Sequence, residues 1–142
     1  MKEKLMWVWQ LPQHLLALAL IRLLKAEKKE WRHNGNAIAY WEFIPQGRFG
    51  KFISGVSLGK YIILKPRSDY AQTVPHEHGH SIQSRAWGPL YLLAVGVPSA
   101  VFNNLWDRLF HKGWAMAQRH KWYYSRYPEK QADVLGGVQR DF

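Results

Sequence analysis

The sequence predicts an α+β chain, mainly helical, with a small antiparallel sheet preceding a helix that carries a metal-binding motif. Three short runs rich in β-branched and aromatic residues, Ala37 to Ile44, Lys51 to Ser57 and Tyr61 to Lys65, are separated by Pro45, Gly47, Gly50 and Gly59. Longer apolar segments flank them, and helix-start and helix-stop residues bracket the stretch TVPHEHGHSIQS. With 142 residues the chain has the length of one domain, and residues 1–142 are read as a single unit.

The first element is Leu5 to Leu24, long enough to cross a bilayer but interrupted by Gln10, Pro12, Gln13, His14 and Arg22. Residues 5–24 therefore read either as an interfacial helix with Trp7 and Trp9 at headgroup level, or as a helix packed on the domain. Basic residues on both sides leave its orientation open. The charged run Lys25 to Arg32 and the turn residues Asn34, Gly35 and Asn36 mark a break before the strands. Leu58-Gly59-Lys60 is the expected tight turn between the last two.

Thr73 is the expected cap of the next helix, with Pro75 in its first turn and Gly88-Pro89 at its end. Leu90 to Val97 is apolar, too short to span a membrane and expected to stop at Pro98, as a buried or a membrane-touching helix. Two helices close the chain, from about Gly113 to Tyr124 and from Pro128 to Gly136-Gly137.

Composition narrows the chemistry. There is no Cys, which excludes disulfides and thiolate metal sites, so a bound metal must use His and carboxylates. Eight Trp and a formal charge of +10 suit a surface that is apolar and wet at once and that meets anionic neighbours, lipid or nucleic acid.

The histidine stretch carries the sharpest signal. On a helix, His76 and His80 lie one turn apart on one face, so both imidazoles can reach one ion, while Glu77 points near an open coordination position. His78 lies about 200° around the wheel from His76 and is not counted with them. A catalytic zinc site needs a third protein ligand, and Glu129 and Asp133 in YPEKQADVLGG are again four apart on an expected helix. Two imidazoles leave too few oxygen positions for magnesium or calcium, which favours Zn2+.

This pairing of HExxH with a downstream ExxxD resembles the gluzincin class of zinc metallopeptidases over the second half of the chain. The resemblance implies His76, His80 and Glu129 as zinc ligands, Glu77 as general base, and Asp133 as the acceptor that fixes a histidine tautomer. Pro128 stands where many gluzincins carry Asn, which keeps Asp133 open as an alternative third ligand. The stretches TVPHEHGHSIQS, GPLYLLAVGVPS and YPEKQADVLGGV are also similar to a group of small bacterial proteins with membrane-leaning N-termini. That similarity implies membrane association, at a bacterial inner membrane, through lipid contact of the N-terminal helix.

Peptide hydrolysis is the implied reaction, with a peptide or protein as substrate and no nucleic acid expected as partner. Residues just before the glutamate helix, His120, Tyr123, Tyr124, Arg126 and Tyr127, are candidates to hold the oxyanion. An extended substrate would add to a sheet edge, supplied by Tyr61 to Leu64 or by Lys51 to Ser57. Two alternatives compete: a catalytically silent protein that keeps metal for stability while binding a membrane or partner, and a basic nucleic-acid-binding module.

Overall fold

Four strands build the sheet on which the site rests: β1 (Glu27–His33), β2 (Asn36–Glu42), β3 (Gly55–Leu58) and β4 (Tyr61–Leu64), in the order β1-β2-β4-β3. The structure is a computed structural model and describes residues 1–142 apart from the Phe52 side chain. The fold is α+β and mainly helical, as the sequence predicts, but the sheet is mixed where an antiparallel one is expected. β1–β2 and β3–β4 are antiparallel hairpins, whereas β2 and β4 run parallel, pairing Trp41 with Ile63 and Glu42 with Leu64. The connection leaving β2 passes through the short helix α3 (Gly47–Phe52) and lays β3 at the outer edge, so β4 returns beside β2 in the same direction.

β1 occupies the run expected to be a break. Its charged side chains face outward, and Asn34 and Gly35, with φ of 49° and 79°, make the two-residue turn that pairs it with β2. The expected Lys51 to Ser57 strand begins in the last two residues of α3, and only Gly55 to Ser57 belong to β3.

β4 is buried on both faces, which explains its unbroken apolar sequence. Ile62 and Leu64 point to one side with Ile38, Tyr40 and Val74; Tyr61 and Ile63 point to the other with Ala17, Phe43, Tyr91 and Val95. Full burial of a side chain such as Ile63 stabilises the fold by roughly 1.5–3 kcal/mol.

The N-terminal segment is two helices, α1 (Lys2–Trp9) and α2 (Leu11–Leu24), not one. Gln10 leaves the helical conformation, and Pro12 sits in the first turn of α2, where its missing N–H costs nothing. One face of α2 packs on the domain through Gln13, His14 and Ala17. His14 donates from Nδ1 to the Trp7 carbonyl and accepts at Nε2 from the Lys60 amide, which pins the β3–β4 turn. At Gly59, with φ of 66°, a Cβ would lie 2.1 Å from the His14 ring. Among the described residues, no helix is long and apolar enough to cross a membrane.

The long helix α4 (Tyr70–Trp87) starts three residues before the expected cap at Thr73, so Pro75 lies inside it. Tyr70 anchors the added turn by stacking on Trp31 and donating its hydroxyl to Glu42. After Gly88 the chain stays helical to Phe110: a tight turn (Gly88–Leu90), two wide π-helical stretches (Leu92–Gly96 and Pro98–Leu105), and α5 (Trp106–Phe110). Pro98 does not stop this run. It opens the second π stretch, whose wider turn relieves the clash a proline ring makes with the preceding turn of an α-helix.

Two helices complete the chain, α6 (Met116–Tyr124) and α7 (Glu129–Gly136). α7 crosses α4 backbone to backbone. A Cβ on Gly79 would lie 1.9 Å from the Ala132 carbonyl oxygen, and one on Gly136 would lie 2.0 Å from that of Pro75. The glycine inside the HEHGH run is thus what lets α7 come close enough for its glutamate to meet the histidines.

Candidate metal centre

One turn of α4 and the first turn of α7 bring His76, His80 and Glu129 together, all buried. Their ligand-type atoms lie within 4.8 Å of one another. Glu129 Oε2 is 3.0 Å from His76 Nε2 and 3.0 Å from His80 Nε2. Its other oxygen accepts a hydrogen bond from the Ser99 hydroxyl.

The partners of the two imidazoles decide what these atoms are. Asp133 Oδ1 lies 2.7 Å from His76 Nδ1, and an ionised carboxylate can only accept, so that nitrogen carries a proton. Gln83 donates its amide N–H groups to the Pro128 carbonyl at 3.0 Å and to Gln131 Oε1 at 2.8 Å. Its oxygen is thereby turned to His80 Nδ1 at 2.7 Å, which fixes the second tautomer. With both Nδ1 atoms donating, both Nε2 atoms of the neutral rings present lone pairs to a carboxylate oxygen. Three acceptors facing one point require a cation there, either a proton or a metal.

The electrostatics agree. Burial opposes the His76 imidazolium, but the bonds to Asp133 and Glu129 outweigh it and raise its pKa to about 9. His80 is also raised, because Glu129 outweighs its burial. Burial would push the Glu129 carboxyl up, yet the two imidazoles hold it well below the usual carboxylate range. Asp133 is likewise held low against its burial, by His76 and by Arg140, which donates to both of its oxygens at 2.6 and 2.9 Å.

Of the expected site residues, Asp133 does not join the converging atoms: its carboxylate is taken up by His76 Nδ1 and Arg140. That geometry separates it from Glu129, which faces both Nε2 atoms. Glu77 lies with the cluster on the wall of a cavity of about 490 Å³, its carboxylate beside Gly55 of β3. His120, Tyr123 and Tyr124 line the same cavity, and Tyr124 packs edge-on against His76. Arg126 and Tyr127 point elsewhere, Arg126 over the Trp122 ring and Tyr127 to the Ala94 carbonyl. His78 stands apart from the cluster.

Gln83, Ser99 and Arg140 escaped sequence reasoning. Gln83 had a signal, three residues beyond His80 on the same helix; Ser99 and Arg140 arrive through the fold and had none. Compared with known proteins, the chain matches no family model, no curated protein and no solved structure.

Two imidazole nitrogens and one carboxylate oxygen, on the wall of a cavity, are a donor set that could hold a metal ion. The fixed tautomers and the carboxylate behind His76 fit the same ion, since such outer partners orient ligands and raise their basicity.

Proposed function

We propose that this chain is a zinc-dependent peptidase of the gluzincin kind. The observation that carries the reading is the convergence of two Nε2 lone pairs and a carboxylate oxygen beside a second carboxylate, that of Glu77, on one cavity wall. His76, His80 and Glu129 would hold the ion. Bound there, zinc supplies an acidified water and polarises a substrate carbonyl.

Glu77 takes the proton of the attacking water and passes it to the leaving amine, in keeping with its place on the cavity wall. Tyr124, its pKa pushed up to about 12 by burial, stays protonated across the neutral range and lines the cavity beside His76. Of the two strands weighed for the substrate edge, Tyr61–Leu64 is internal, whereas β3 is outermost and lines the cavity beside Glu77. An extended peptide added along β3 would pass its backbone in front of Glu77.

Elemental analysis of wild type and Glu77→Gln, with both incubated with a mixed peptide library at neutral pH, tests the reading. One zinc per chain in both, with cleavage by wild type alone, is the expected result. A silent stabilising site is the second reading, favoured by the way the three residues tie α4 to α7. It predicts zinc in both proteins and cleavage by neither.

A further inference from the structure

Two uncharged helical stretches leave large apolar side chains in solvent, and each is bounded by basic residues. Residues 5–21 and 86–106 contain no Asp, Glu, Lys or Arg. Lys2, Lys4, Arg22 and Lys25 bracket the first, and Arg85, Arg108 and Lys112 bracket the second; Glu3, Glu27 and Asp107 are the acids beside them. Asp107 is already taken up by Arg119, with a closest approach of 2.6 Å.

The exposed residues follow the helical repeat. On α2, Leu11, Leu15 and Leu18 form one outward row. On the run after Gly88, Leu93, Val97, Val101, Leu105 and Leu109 recur every four residues, and Leu93 is 70% exposed. The two rows sit on neighbouring elements. Ala17 of α2 shares a core cluster with Tyr91 and Val95, and Gln13 donates to the Gly88 carbonyl at 2.9 Å. The same run also supplies Gly96, Ser99 and Ala100 to the wall of the cavity that holds the histidine cluster.

We propose that these two apolar faces together dock the chain on the surface of an anionic lipid bilayer. No helix in either stretch is long and apolar enough to cross it, so the helices lie in the interface plane with their apolar faces among the acyl chains. Excess basic charge at the ends of both stretches meets the anionic headgroups, and a second copy of the chain would instead set those cations against one another. Trp9 and Trp106, each about half exposed at the margins, are the residue type favoured at headgroup depth. The cavity would then open close to the bilayer surface, within reach of lipid-attached chains. This docking does not depend on the metal.

Flotation of the full chain with vesicles of phosphatidylcholine alone and of phosphatidylcholine with an equal part of phosphatidylglycerol tests it. The wild type is expected to float with the anionic vesicles, more weakly at high salt, and Leu93→Glu/Val97→Glu to lose partitioning by on the order of tenfold or more. Circular dichroism and gel filtration of the variant establish that it is folded, which its exposed positions favour. Two results overturn the proposal: no flotation of wild type with anionic vesicles, or equal flotation of the folded variant. A wild-type dimer that the double substitution converts to monomer, without vesicle binding, assigns the face to a second copy and overturns it as well.

Discussion

At His80, one nitrogen is set by a residue that never faces the cluster. Gln83 cannot rotate its amide without turning its N–H groups away from the Pro128 carbonyl, so its oxygen stays on Nδ1 and the lone pair of His80 stays on Nε2. Replacing it with a residue of similar length but no acceptor frees the tautomer. Gln83→Met is expected to weaken zinc binding by on the order of 10–100-fold relative to wild type. Competition against a chromophoric chelator measures the loss. Equal affinity in Gln83→Met and wild type would show that His80 keeps its tautomer by other means.

At the scale of elements, the site exists because α4 and α7 touch along Gly79 and Gly136. The atom a Cβ on Gly79 would strike is backbone, the Ala132 carbonyl, so no side chain can swing aside. Gly79→Ala is expected to push α7 away, costing about 1–3 kcal/mol in urea unfolding and lowering zinc affinity with it. Gly113→Ala, where a Cβ would meet nothing within 4 Å, is the control and should leave both nearly unchanged. This crossing also separates what could be read in the sequence from what could not. The four-residue spacings of His76 with His80 and of Glu129 with Asp133 are local properties of helices and are legible before any fold is known. That Glu129 rather than Asp133 meets both histidines depends on how α7 is seated, a long-range matter the residue types leave open. β1 went unread because both its faces carry charge, so it lacks the apolar alternation by which strands are recognised. The apolar segment from Pro98 through Leu105 and Trp106 is legible, but its helical continuity across Pro98 is not, because π-helical winding admits a proline where an α-helix resists it.

Over the whole molecule, the charge of +10 makes the few acids count. Of ten carboxylates, five, namely Glu42, Asp69, Asp107, Asp133 and Glu129, are held below their ordinary range by hydrogen bonds or ion pairs. A carboxyl whose folded pKa is depressed contributes stability that is present above the unfolded value, about 4, and is lost as pH falls through the folded one. The histidines shift in both directions, His76 and His80 up through their carboxylate partners and His14 and His78 down through burial. Asp107 gives the test, since it is not one of the proposed zinc ligands. Burial would raise its pKa, but Arg119 and His111 hold it low, and the Arg119 pair joins α5 to α6. Asp107→Asn is expected to lower the urea midpoint at neutral pH, and its difference from wild type should shrink steadily below about pH 4 as the wild-type carboxylate is protonated. Urea titrations of metal-free protein across that range read the trend directly. A difference that stays constant down to the lowest pH would mean that Asp107 acts through packing and not through its charge.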